Sequence, residues 1–134
     1  MTAVSYFRGD DQPWGIVDIV GLGGAGRWAA AAKAIAGDAV DRMVIDTAGF
    51  RFADVPSTDH ADFLPGSAKY FDMAGLLALC APSEILVCDE ADRTKHSELV
   101  TETYKAAGAI DKVTWYEGPD SDLENAAVQW LSRK

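Results

Sequence analysis

The sequence predicts an α/β fold, a parallel sheet of about four strands with helices on both faces. Three observations carry this expectation. Short apolar runs alternate with helical stretches four times along the chain, the order that builds a parallel sheet from strand–helix units. The first apolar run passes through Gly21-Leu22-Gly23-Gly24-Ala25-Gly26 into an Ala-rich stretch, a sharp turn from strand to helix. Near the C-terminus, Leu123, Ala126, Ala127, Trp130 and Leu131 recur at i, i+3, i+4, i+7 and i+8, the apolar stripe of a surface helix.

The elements follow in order. A strand is predicted over Ile16–Val20 and a helix over 24–36, with Trp28, Ala32, Ile35 and Ala36 at helical spacing and facing the sheet. Gly37-Asp38 ends that helix. A second strand over 42–47 leads into a long loop with Pro56, Ser57, Thr58, Asp59, His60, Pro65 and Gly66. A short helix over 68–79 stops near Pro82. The third strand is Glu84–Cys88, and the helix over 97–107 closes at Gly108, the residue type favoured just past a helix end. The fourth strand is 112–116, and the Leu123–Leu131 stripe forms the last helix.

The 134 residues suit a single domain spanning the whole chain. Hydrophobic residues make up 49% and charged ones 25%, a globular balance. A net charge of −9 opposes binding to a phosphate backbone, so nucleic acid is not an expected partner. No apolar run approaches the length of a spanning helix, and no membrane partner is expected. The default is a soluble, cytoplasmic protein, although a removed leader would leave no trace here. Cys80 and Cys88 lack metal-ligand spacing and read as buried free thiols.

The glycine turn fits two templates. A strand–turn–helix carrying G-x-S-x-G presents a nucleophile at its tip. Here Gly21 takes the first position and Ala25, also small, the last, while Gly23 stands at the nucleophile position and has no side chain to attack with. The other template is G-x-G-x-x-G, in which glycines bring the backbone close to a pyrophosphate and an acid about 20 residues on holds the ribose. Gly21, Gly23, Gly24, Gly26 and Asp46 would then be the binding residues, and NAD or NADP the cofactor; under the first template no cofactor is expected.

Several later segments carry a resemblance. They are the run 63–72, Leu76-Leu77-Ala78-Leu79-Cys80-Ala81-Pro82, the run 84–92, Tyr104-Lys105-Ala106-Ala107-Gly108-Ala109, the run 113–118, and Ala126-Ala127-Val128-Gln129-Trp130-Leu131. With the glycine turn, they resemble the C-terminal half of the α/β-hydrolase superfamily, in the manner of its acetyl xylan esterase-like and dienelactone hydrolase-like members. Residues 2–9 are similar to the tail of the helix before the nucleophile strand, and the family's first four strands have no counterpart. The resemblance implies that Gly23 occupies the nucleophile position and Asp92 that of the triad acid; in some members the acid falls instead at Asp46. The base histidine would stand in the loop after the fourth strand, where Asp120 and Ser121 lie and no histidine occurs. Gly24 would supply half of an oxyanion hole.

Other residues invite roles. His60 and His96 read as solvated surface histidines, and Ser57, Thr58, Asp59 and His60 are adjacent in sequence without being a triad, since working triads assemble from separate loops. Asp89, Glu90, Asp92, Asp120 and Asp122 read first as solvated acidic loops, with a carboxylate-rich rim at the strand ends, suited to a hard cation, as the alternative. Trp28, Trp115 and Trp130 read as core, and Trp14 is unexplained. The first strand stands at a sheet edge with unpaired backbone groups, so the edge Ile16–Val20 is expected to pair with a second copy, making a homo-oligomer, or with a missing N-terminal segment of a longer chain. The combined expectation is a non-catalytic hydrolase-like domain with a binding or structural role. A dinucleotide-binding domain is the alternative, and an ester hydrolase completed by a missing N-terminal half the second.

Overall fold

The computed structural model describes residues 15–90 and 93–133, and of 93–96 the backbone alone. Asp92, Trp14, the segment 2–9 and the side chain of His96 therefore lie outside the described residues. Four strands, β1 (Asp18–Gly21), β2 (Arg42–Asp46), β3 (Glu84–Cys88) and β4 (Val113–Trp115), alternate with helices α1 (Gly26–Ala36), α2 (Asp72–Ala78), α3 (Arg93–Ala106) and α4 (Leu123–Leu131). The sheet is parallel throughout, in the order β1-β2-β3-β4. This is the predicted α/β architecture, with β1 at an edge.

Strand order in chain order decides where the helices go. Right-handed crossovers between successive neighbours put every crossover helix on one face. Ala29 and Ala30 of α1, Met73, Ala74 and Leu77 of α2, and Val100 and Tyr104 of α3 accordingly share one core with Met43, Ile45, Ile85 and Val87. The chain after β4 is free of that constraint. Helix α4 packs Leu123, Ala127 and Trp130 against Val44, Leu86 and Cys88 on the opposite face. Strands buried on both sides carry no polar alternation, which is why β3 reads Ile-Leu-Val-Cys after its first residue.

Helix α1 turns a different face inward from the one its large apolar residues suggest. Its buried residues are Gly26, Ala29, Ala30 and Lys33, while Trp28 is half exposed and Ile35 lies 89% exposed. Close approach decides the orientation. A Cβ at Gly26 would lie 2.1 Å from the carbonyl oxygen of Asp46, and one at Gly21 would lie 2.9 Å from the Ala29 side chain. Only small residues fit this seam, so Trp28, Ala32 and Ile35 face outward. Lys33 is buried because its Nζ caps the helix end, donating to the carbonyl oxygens of Gly37 and, at 3.0 Å, Val40. Burial lowers its pKa below the usual lysine value, against the raising influence of Cys80, Asp38 and Asp41.

Helix α2 begins four residues later than predicted. Phe71 and Asp72 hold left-handed φ angles of 71° and 56°, which no continuous helix from residue 68 permits. Such angles in non-glycine residues cost about 1–3 kcal/mol each. The Asp72 carboxylate offsets this by accepting from the backbone N–H of Phe52 (2.8 Å), Ala53 (2.9 Å) and Met73 (2.7 Å). Helix α3 begins four residues earlier than predicted, at Arg93, and Gly108 follows its end at φ 68°. Cys80 and Cys88 are buried free thiols, Trp130 is buried, and Trp115 is partly buried against the first core.

Candidate functional site at the C-terminal edge of the sheet

Left-handed backbone recurs where the strands end, at glycines and at the non-glycine residues Ala48 and Asp89. Gly23 and Gly24 follow β1 with φ of 60° and 82°, Ala48 and Gly49 follow β2 with 49° and 64°, and Asp89 follows β3 with 48°. Open α/β sheets bind ligands at this carboxyl edge, and sparsely populated conformations gather at functional sites.

Asp46 organises the edge. As the last residue of β2 it is buried, and its Oδ2 accepts from the N–H of Gly23 at 2.6 Å while Oδ1 accepts from the N–H of Ala48 at 2.9 Å. The β2 end is tied to the β3 end in turn: Thr47 Oγ1 and the N–H of Gly49 both donate to the Asp89 carbonyl oxygen, at 2.6 and 2.9 Å. On the outer side of the glycine turn, Arg27 donates to the Gly24 carbonyl oxygen and pairs with Asp62 at 3.0 Å. The Arg27 guanidinium also lies 4.5 Å from the centre of the Phe50 ring, a cation–π contact. The turn is thus held from both sides.

These residues enclose a cavity of about 250 Å³, lined by Gly23, Asp46, Asp89 and Asp120, with Glu124 at the rim and Leu22 and Leu123 as apolar walls. Of the predicted site residues, Gly23, Asp46 and Asp120 meet here. Gly21 and Gly26 serve the helix–strand seam instead. Ser121 is exposed and does not line the cavity. Of the predicted acidic rim, Asp89 and Asp120 belong to the cavity. Asp122 is exposed and accepts from Asn125 Nδ2 at 3.3 Å, and Glu90 is buried in an ion pair with Arg51, with its Oε2 left without a hydrogen-bond partner. Glu124 was not singled out from sequence. Its signal lies in the last helix's stripe, because seating Leu123 on the sheet brings the first turn of α4 to the same edge.

The chemistry of this arrangement is restricted. A Cβ built on Gly23 would meet nothing within 4 Å, so the tip of the turn faces open space with no nucleophile on it. Among the described residues no histidine lines the cavity. His60 is exposed in the long loop, its Nδ1 accepting from the backbone N–H of Asp62 at 3.2 Å and its backbone N–H donating to the Ser57 carbonyl oxygen. A pyrophosphate at the turn would compete with Asp46 for the Gly23 N–H and would meet several carboxylates. A ribose would find both Asp46 oxygens already bonded to backbone. Among the described residues no group of three or more His, Cys, Asp or Glu side chains is placed to hold a metal ion. No protein-family model matches the chain, and no curated protein or solved structure does either. No described helix is long and apolar enough to cross a membrane.

Proposed function

We propose that this chain is a non-catalytic α/β-hydrolase-like domain with a binding or structural role, self-associating through its β1 edge. The observation that carries the reading is Gly23. It stands at the tip of a strand–turn–helix at φ 60°, with its N–H bonded to Asp46 and space in front of it for a side chain it does not have. A hydrolase elbow needs that backbone conformation to expose its nucleophile; here the conformation remains without an attacking atom. The grouping of three helices on one face and α4 on the other is consistent with the same reading.

The ladder supports the β1 edge as the partner surface. Val17 directs both backbone groups toward β2, its carbonyl oxygen accepting from Asp41 N–H at 2.8 Å and its N–H donating to Asp41 Oδ2 at 2.7 Å. By the two-residue period of a strand, Ile16, Asp18 and Val20 direct theirs away from β2, to an edge that no described strand covers. Ile16 is 64% exposed. Such an edge is a template for another strand.

The test is hydrolysis of p-nitrophenyl acetate by the wild type and by Gly23→Ser, with NADH titrated against both through tryptophan emission. Turnover is expected at the heat-denatured background for both proteins, because a serine alone acquires neither a base nor a second oxyanion donor. The substitution is expected to cost only about 1–3 kcal/mol, the price of a left-handed non-glycine residue. Saturable wild-type turnover removed by one side-chain substitution would sink the non-catalytic reading. Saturable NADH binding lost in Asp46→Ala would favour the dinucleotide-binding alternative.

A further inference from the structure

We propose that the groove between the segment leading into α2 and helix α3 binds an uncharged, hydrocarbon-rich small molecule. This groove lies away from the carboxyl-edge cavity, shares no lining residue with it, and does not depend on the reading of Gly23. Its volume is about 530 Å³, and its walls are Leu64, Tyr70 and Phe71 on one side and Leu76, Leu79 and Leu99 on the other. Sites for small ligands have this size and this apolar character.

The polar groups around the groove specify the ligand's charge. Ser67 Oγ donates to the Leu64 carbonyl oxygen at 2.7 Å and Thr103 Oγ1 to that of Leu99 at 2.8 Å. Both oxygens of Asp72 are taken by the backbone N–H groups of Phe52, Ala53 and Met73. Beyond these, the lining offers the exposed Tyr70 hydroxyl, which is neutral. Among the described lining residues, therefore, no side chain holds a free counter-charge for an ammonium, a carboxylate or a phosphate, and an ion would give up water there without a paired replacement. The chain's net charge of −9 adds repulsion against any anion. A neutral apolar group meets none of these penalties.

The aromatic wall is held in place independently of any ligand. Its two left-handed residues, Phe71 and Asp72, keep Tyr70 and Phe71 turned outward at 64% and 67% exposure. The wall's backbone lies directly on α2, where a Cβ at Gly75 would sit 2.1 Å from the Tyr70 carbonyl oxygen. An apolar surface built on strained backbone fits a ligand clamp better than incidental exposure.

The experiment titrates the full chain with the neutral probe N-phenyl-1-naphthylamine and its anionic counterpart 1-anilinonaphthalene-8-sulfonate, following probe emission. Saturable one-to-one binding of the neutral probe is expected, about tenfold or more tighter than the sulfonate. Leu79→Glu is expected to weaken neutral binding by at least about tenfold. Leu79 is 65% exposed, so circular dichroism should match the wild type, and Phe71→Ser provides a second variant with the same expected loss. Absence of saturation, equal binding of the sulfonate, or unchanged affinity in both variants would each overturn the proposal. So would probe binding that appears only when dilution dissociates a dimer by light scattering, since a second copy would then be the occupant.

Discussion

One row of side chains crosses the sheet on the α4 face: Val20, Val44 and Leu86, in register across β1, β2 and β3. Val44 is 0% exposed and Leu86 3%, but Val20 is 45% exposed. On the other face, three helices cover the equivalent rows, and Met43, Ile45, Ile85 and Val87 are all sealed. The difference teaches that helix coverage follows from connectivity. Every crossover must return to the same face, so that face is roofed three times over. Among the described residues the opposite face is covered by the single helix α4, which packs on β2 and β3 and not on β1.

The largest test of this contrast is Trp130→Ala. Trp130 is 3% exposed and is the largest side chain that α4 contributes to its face. Its removal is expected to cost about 3–5 kcal/mol by urea denaturation. A loss below about 1 kcal/mol would mean that the second face does not hang on this helix.

A smaller effect uses the two thiols, one on each face. Burial pushes both Cys80 and Cys88 up to about 12, with Asp46 and Asp89 adding to the rise at Cys88. Folding thus raises the pKa of each thiol, so between pH 9 and about 12 the unfolded chain has lost protons that the native state retains. Unfolding then releases protons, and stability is expected to fall with rising pH across that window, by up to about 1.4 kcal/mol per pH unit for each thiol. Cys80→Ala and Cys88→Ala should each remove one share of the slope, which denaturation at several pH values would read. A slope unchanged in both variants would detach the pH dependence from the thiols. Under native conditions Cys88, roofed by a single helix, should react with Ellman's reagent before Cys80. The reverse order would contradict the ranking of the two faces.

The smallest effect on stability is expected from Val20→Lys, within about 0.5 kcal/mol of wild type because the side chain is already largely in water. The same substitution should abolish self-association at high micromolar concentration, measured by light scattering. A wild type that stays monomeric at that concentration would remove β1 as a self-pairing edge.

Much of this architecture was legible before the structure. The β3 strand and the α4 stripe read correctly because burial on two faces, or on one helical face, leaves a periodic signature in the residues themselves. Helix α1 misled because its bulky residues do not choose its orientation; Gly26 and Ala29, through close contact with Asp46 and Gly21, do. The start of α2 was hidden because Asp72 is held by Phe52 and Ala53, about 20 residues upstream, and local propensity contains no trace of such bonds. At the carboxyl edge, Gly23 stood out by its place in the glycine turn and Asp46 as the acid that ends the next strand. The bond between them, and the arrival of Glu124 beside them, arise only when four strand ends meet.

The chain-order sheet has a consequence for how freely its parts can change length. About 20 residues separate paired positions in β1 and β2, about 40 in β2 and β3, and about 30 in β3 and β4. Loop-closure entropy grows only with the logarithm of that separation, so the longest joint costs only about 0.5 kcal/mol more to close than the shortest. Most of the extra length lies in residues 47–71, which carry the Leu64–Tyr70–Phe71 wall. That segment can lengthen or shorten at small thermodynamic cost while the strands keep their partners, so the sheet can stay fixed as the groove's outline is remodelled.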